Sequence, residues 1–302
     1  RSGYDSYDTT LVVHHKDRFR SYSVERGYPV PHSTDDENYR GLRFPVLVKP
    51  VDSFSGRGIS KVSDLDELDR QYALAARHSS AGQVVVEEFV EGSLHSHSAF
   101  IKNGKIVLDF FVDEFCTVYP YQVNSSCLSY TLEDSIRHEV RVWCEQLSAD
   151  LSLTDGLVHS QFIYREGRFW VLEVTRRCPG DLYSELIRQS TGVDYAGLYA
   201  APFLGIPLPD AVPKSEPRYI ARHTASQSRP CVLHSTSLAL THAKAEFVSI
   251  ANAGATVREA PFGKTGIYFI DFSSPAELIE YTPKLRDYVT INEYRIKGHE
   301  TC

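Results

Sequence analysis

Residues 16–25 place Phe19, Tyr22 and Ser23 on one face at helical spacing, and Gly27 follows as a C-terminal stop, so a helix is predicted there. The ten residues before Leu11 are rich in Gly, Ser, Asp and Tyr and read as a loop or a cut end. Residues 44–50 form a short apolar run with Pro45 and Pro50 near its limits, where a missing backbone donor does least harm; a strand is predicted, followed by a Ser/Gly loop over 52–58. Leu65, Leu68, Tyr72 and Ala76 share a face over residues 63–77, with Ser63 as N-cap and Asp66 completing a capping box. Residues 83–90 return as a strand. A hairpin is predicted over 99–111, turning at Asn103-Gly104, then a helix over 134–150. A second hairpin joins 157–163 to 169–174 through residues 165–168.

Proline-rich turns at 205–209 mark a boundary, beyond which a strand (266–272) and a helix (274–288) carry few convergent polar groups. That last third reads as packing support. Helices and hairpins in this order predict an α+β fold of two lobes.

Composition narrows the functional classes. The chain has 302 residues, enough for two or three packed units, and its 42% hydrophobic and 24% charged residues are ordinary for a globular protein. A net charge of −7 argues against broad nucleic-acid or membrane-surface binding, which clustered Lys and Arg would support. Six cysteines, including Cys302, form no CxxC pair, so reduced thiols and a cytoplasmic setting are expected. No apolar run is long enough to span a bilayer. The chain opens at Arg1 and contains no Met, so it is expected to lack part of a longer sequence.

Three stretches hold candidate chemistry. The strand ending in Lys49 runs into Ser53, Ser55, Gly56 and Gly58: a compact positive charge beside backbone N–H groups that can close over phosphate oxygens. This is neither GxxxxGK nor GxGxxG, and a plain surface turn would use the same residues. Glu87, Glu88, Phe89 and Val90 end an apolar strand and offer the acceptor, donor and apolar wall an adenine ring needs, although a glutamate pair at a strand end is also a common solvated rim. On the later hairpin, Glu173, Thr175 and Arg177 lie two apart and project together, with Gln161 across from them. Such oxygen donors suit Mg²⁺, and an arginine there would stabilise a transferring phosphoryl group; a cross-strand ion pair is the alternative. His95 and His97, two apart after Gly92, could touch a ribose or substrate but have no metal-ligand spacing.

In this order the three stretches resemble the ATP-grasp superfamily of carboxylate-amine ligases, which includes carbamoyl phosphate synthetase large chains, D-alanine ligases, biotin carboxylases and bacterial amino-acid ligases. The resemblance runs from about Lys16 to Gly205. It implies a nucleotide cleft between two mixed or antiparallel sheets, with an α/β extension at the C-terminus. It divides the chain into an N-terminal remnant (1–15), a small lobe (16–90), a large lobe with the metal site (91–201) and a supporting subdomain (202–302). It makes Lys16 and Lys49 phosphate contacts, 53–58 a mobile phosphate-covering loop, and Glu87 to Val90 the adenine hinge. Gln161, Glu173 and Thr175 become the Mg²⁺ (or Mn²⁺) ligands, and Arg177, with Lys49, catalytic. Thr175 stands where the family usually has Asn, and Leu94-His95 where many members carry a ribose-binding Glu. Residues 177–181 resemble a loop that lines the acceptor side. The implied reaction is ATP-dependent activation of a carboxylate as an acyl phosphate and its capture by an amine. Small-molecule substrates are implied, with no nucleic-acid or membrane partner, and a homodimer is the assembly considered. Transfer to a thiol, phosphoryl transfer and a non-catalytic nucleotide-binding module stay open.

Overall fold

The computed structural model describes residues 3–34, 39–210 and 216–294. Arg1, Ser2 and Cys302 lie outside them. The first segment is not a loop throughout: Ser6 caps a helix α1 (Tyr7–His14) by accepting the Thr9 N–H at 3.1 Å. Eight residues with only Val13 buried leave little helical periodicity to read. Helix α2 (Lys16–Glu25) follows as predicted.

The small lobe is a four-stranded antiparallel sheet in the order β1-β4-β2-β3, made of β1 (Ser33–Thr34), β2 (Val46–Pro50), β3 (Ser60–Val62) and β4 (Val84–Glu88). Helix α3 (Leu65–Arg77) covers one face, where Val46, Val48, Val62, Val84 and Val86 pack with Leu68 and Ala75. Its cap is Asp64, not Ser63: the Asp64 carboxylate accepts the Glu67 N–H at 3.0 Å. Two overlapping capping patterns were available, and the carboxylate is the stronger acceptor at a helix N-terminus.

The large sheet starts with hairpin β5 (Ser93–Lys102) and β6 (Lys105–Phe115), turning at Asn103 and Gly104, both in the left-handed region, and adds β7 (Ser125–Leu128). After α4 (Asp134–Asp150) comes the second predicted hairpin, β8 (Gly156–Arg165) and β9 (Arg168–Thr175). Two helices follow that periodicity did not reveal, α5 (Tyr183–Thr191) and α6 (Tyr195–Ala200). The last third supplies β10 (Tyr219–Ala225), β11 (Cys231–Leu238), β12 (Lys244–Ser249), β13 (Thr256–Val257), β14 (Gly266–Phe272), α7 (Pro275–Tyr281), α8 (Leu285–Tyr288) and β15 (Val289–Glu293). The single helix expected over 274–288 is broken around Pro283 by a 3-10 turn (Thr282–Lys284).

The sheet order β12-β14-β10-β7-β6-β5-β8-β9 is antiparallel throughout, so three strands of the last third extend the sheet that carries both hairpins. Strand alternation splits its side chains between two cores. Ala99, Ile101, Phe111, Val158 and Phe162 pack under Ile136, Val140, Trp143 and Leu147 of α4. Phe100, Phe110, Val112 and Leu157 pack under Tyr183, Leu186 and Ile187 of α5 and Tyr195 of α6. No helix among the described residues is long and apolar enough to cross a membrane.

Candidate functional site

Because Val46 and Val48 face α3, Leu47 and Lys49 must face the other way, and Glu87, opposite Leu47 in the ladder, joins them. The Glu87 carboxylate is buried between Lys49 Nζ, which donates to Oε1, and the Arg20 guanidinium, which donates to Oε2 at 2.8 Å. Burial alone would push this carboxyl up; the charges of Arg20 and Lys49 outweigh it and hold it below the usual glutamate range. Arg20 also donates to the carbonyls of Val171 and Leu172, each at 3.0 Å. One side chain of α2 therefore ties the small sheet to β9.

Lys16 is the first residue of α2, where a cation opposes the helix dipole, and no side chain caps that end. Its Nζ donates to the Ser53 carbonyl at 2.5 Å. Burial pulls the ammonium below its ordinary value, Lys49 adds to the fall, and Glu173 and Glu87 oppose it. Lys16 and Lys49 from the first half thus share one electrostatic neighbourhood with Glu173 of the second hairpin.

A bulge aims Glu173. In the β8–β9 ladder Gln161 faces Glu173 while Phe162 faces Val171, leaving Leu172 as the extra residue. The bulge lets Val171 and Val174 both face α4, turns Glu173 to the Gln161 side, and frees the Leu172 carbonyl that Arg20 takes. Gln161 Nε2 donates to Glu114 Oε2 at 2.6 Å. That bond occupies the Gln161 nitrogen and leaves its amide oxygen to point elsewhere. A carboxylate and an amide oxygen side by side fit a hard cation that takes its other ligands from phosphates and water. Among the described residues no group of three His, Cys, Asp or Glu forms a closed metal cage. Thr175 Oγ1 accepts the Arg177 N–H at 3.3 Å, and the exposed Arg177 guanidinium donates to the Cys178 carbonyl at 3.4 Å.

Ser55, Gly56 and Gly58 have φ of 58°, 72° and 72°, a left-handed path that turns the loop back on itself. Ser53 Oγ closes it by donating to the Arg57 carbonyl at 2.6 Å. Tyr119 donates its hydroxyl to the Gly56 carbonyl at 3.2 Å, and the Arg57 guanidinium lies over Phe54 and Phe262 at 5.0 and 5.1 Å. The loop is thus docked on two segments of the large sheet's side of the molecule.

Two expectations need correction. The Glu87 and Glu88 side chains are not free to meet a base: Glu87 holds Lys49 and Arg20, and Glu88 Oε1 accepts the Arg43 N–H at 2.9 Å. The backbone N–H groups of Glu88 and Phe89 are also taken, by the His32 and Pro45 carbonyls at 2.8 and 2.9 Å. His95 and His97 alternate with Ser96 onto the α4 side, where they stack on Phe162 and Phe111, so they face away from Gln161 and Glu173.

Several polar groups at the site went unread in sequence. Arg20 and Glu114 are two. The third is a cluster contributed by the last third of the chain: buried Arg222 of β10 donates to Ser126 Oγ and the Asp181 carbonyl, each at 2.9 Å. Thr224 Oγ1 donates to Asp181 Oδ2 at 3.1 Å, and Lys264 binds Oδ1. Asp181 and Leu182 both have φ of 54°, so the backbone leaving Gly180 is bent to seat that carboxylate. Arg222 and Thr224 lie two apart on β10, on one face of the strand, but the sequence does not show that this face is buried.

Residues 42–185 match the family described as the ATP-grasp domain. The carbamoyl phosphate synthase large chain, C-terminal section, of Methanopyrus kandleri is 23% identical over 210 residues, which is 65% of this chain and 38% of that protein. Cyanophycin synthetase of Synechocystis is 33% identical over 101 residues, 30% of this chain and 11% of that one. The chain therefore spans well under half of these relatives. Among solved structures, an L-amino acid ligase from Bacillus licheniformis superposes with a TM-score of 0.72 at 16% identity, covering 95% of this chain and 74% of that one. A biotin carboxylase from Campylobacter jejuni superposes at 0.70 and 15% identity, over 95% and 69%.

Proposed function

We propose, from the match of residues 42–185 to the ATP-grasp domain, that this chain is a Mg²⁺-dependent ligase that activates a carboxylate with ATP and joins it to an amine. The observation that carries this reading is Arg20, which donates both to Glu87, the partner of Lys49, and to the Val171 and Leu172 carbonyls just before Glu173, and so ties the cationic stretch to the oxygen-donor strand. Two cations from one lobe and oxygen donors from the other are what a triphosphate with its divalent cation requires.

In this reading Lys16 and Lys49 hold the phosphates, and the loop from Ser53 to Gly58 excludes water from the reacting centre. Glu173 and the Gln161 oxygen would hold Mg²⁺, which when bound supplies charge neutralisation at the phosphates. The backbone beyond β4, at Phe89 and Val90, borders the adenine; the Glu87 and Glu88 side chains do not take part. Arg222 lies where its charge acts on Glu114 and is proposed to receive the carboxylate substrate. Its oxygen attacks the γ-phosphorus, ADP departs, and Arg177 stabilises the charge in transfer. An amine then displaces phosphate from the acyl phosphate, losing its proton to solvent.

ADP release measured against a matrix of amino acids and small acids tests the reading. Amine-dependent release with an amide product is expected, and Glu173→Gln abolishes it without unfolding the chain. ATP binding without amine-dependent turnover would assign a nucleotide-binding module, and a thioester or phosphorylated product would assign the related transfers.

A further inference from the structure

On the opposite face of the large sheet from Gln161, three side chains form a continuous hydrogen-bonded chain. Ser93 Oγ is 2.7 Å from His95 Nε2, and His95 Nδ1 is 2.9 Å from Asp113 Oδ1. Asp113 Oδ2 accepts a further bond from Thr131 Oγ1 at 3.1 Å. His95 and Asp113 are buried, whereas Ser93 is exposed at the first position of β5. We propose that Ser93 is a nucleophile, with His95 as its general base and Asp113 holding the imidazole, forming an acyl-transfer site for small activated esters that is separate from the nucleotide cleft.

The proton positions follow from the partners. An ionised Asp113 can only accept, so His95 presents Nδ1–H to it and keeps a bare lone pair on Nε2. That lone pair accepts the Ser93 hydroxyl. The competing acceptor, the Tyr164 carbonyl, is 3.4 Å away, so the shorter bond to His95 takes the proton. The ring cannot turn out of this register: it stacks on Phe162 with centroids 5.5 Å apart and meets the edge of Tyr164 at 6.2 Å. A nucleophile bonded to a base that a third group orients is the arrangement recognised by geometry rather than by sequence order.

Gly92 makes the placement possible. Its φ is 157°, and a Cβ there would come within 2.4 Å of the Tyr164 carbonyl oxygen, so only glycine lets the chain enter β5 this close to β8. Ser93 then emerges beside Tyr164, whose ring offers an apolar edge to an aryl ester. Next along the strand, His97 bonds Asp109 at 2.9 Å, but its Nδ1 is buried with no partner and no hydroxyl reaches it. That second pair therefore has no nucleophile.

In the proposed step Ser93 Oγ attacks the ester carbonyl while its proton moves to His95 Nε2. The leaving alkoxide takes that proton, and water then hydrolyses the Ser93 ester, restoring the hydroxyl. The test uses the full chain without ATP, which separates it from the ligase reading. A fluorophosphonate probe, followed by peptide mapping, should modify Ser93, and p-nitrophenyl acetate should release p-nitrophenolate in a burst. Ser93→Ala, at an exposed position, should keep the circular dichroism spectrum and lose both signals. His95→Gln should slow labelling by about 100-fold, the scale of a lost general base. No probe on Ser93, or ester cleavage undiminished in Ser93→Ala, overturns the proposal.

Discussion

Glu87 is a buried carboxylate held by two cations, and its worth depends on which member is removed. Glu87→Gln leaves Arg20 and Lys49 buried without a counter-charge, which should cost about 3–5 kcal/mol, read from the urea unfolding midpoint. The same carboxyl is held below its ordinary range in the folded state. Its contribution is therefore complete above the unfolded glutamate pKa and lost as pH falls through the lower folded value. Wild type should lose stability on acidification more steeply than Glu87→Gln, and equal slopes would refute the assignment. Lys49→Ala differs, because Glu87 keeps Arg20. The fold should survive, and calorimetric titration should show a large loss of ATP affinity, about tenfold or more. Lys49, Gln161 and Glu173 were legible as candidates because chemistry requires their residue types at strand positions. Arg20 and Arg222 were not, since a helix or strand arginine looks the same in sequence whether it is solvated or buried.

At the scale of elements, the loop after β2 is the part whose geometry most constrains substitution. Gly56 has φ of 72°, and a Cβ there would lie 2.5 Å from the backbone oxygen of Tyr121. Gly56→Ala should keep the loop from docking, weaken nucleotide binding and raise proteolytic cleavage within residues 52–58. The thermal midpoint should move little, because the loop adds nothing to the core of the small lobe. A drop of many degrees would mean the loop is structural. Both hairpins and α2, α3 and α4 were readable from periodicity and turn residues. The bulge at Leu172 was not, because it arises where β9 must serve the α4 core and aim Glu173 to the other face.

For the whole molecule, the last third is not simply support packed on a finished domain. Strand β10 lies between β7 and β14 in the eight-stranded sheet and carries Arg222 and Thr224 to Asp181. A fragment ending at Gly205 would expose the β7 edge and strip Ile220, Ile267 and Phe269 from the core beneath α5. Such a fragment should show no cooperative unfolding transition by circular dichroism, and a sharp transition at the full-length midpoint would refute this. Residues 205–209 read as a boundary because Gly and Pro break local structure, and that signal says nothing about which sheet the chain rejoins.

Local chemistry alone determined α2, α3, α4 and the two hairpins, the turns at Asn103-Gly104 and Glu166-Gly167, and the order of the cationic, glutamate-pair and oxygen-donor stretches. Those follow from short-range sterics and from side-chain alternation, which a linear sequence displays. Only the tertiary structure decided that Arg20 would bridge the lobes, that Glu87 would be consumed in an ion pair, and that His95 would turn to the back of the sheet beside Ser93. Each depends on which face of a strand meets which helix, a choice made by packing between residues far apart in the chain.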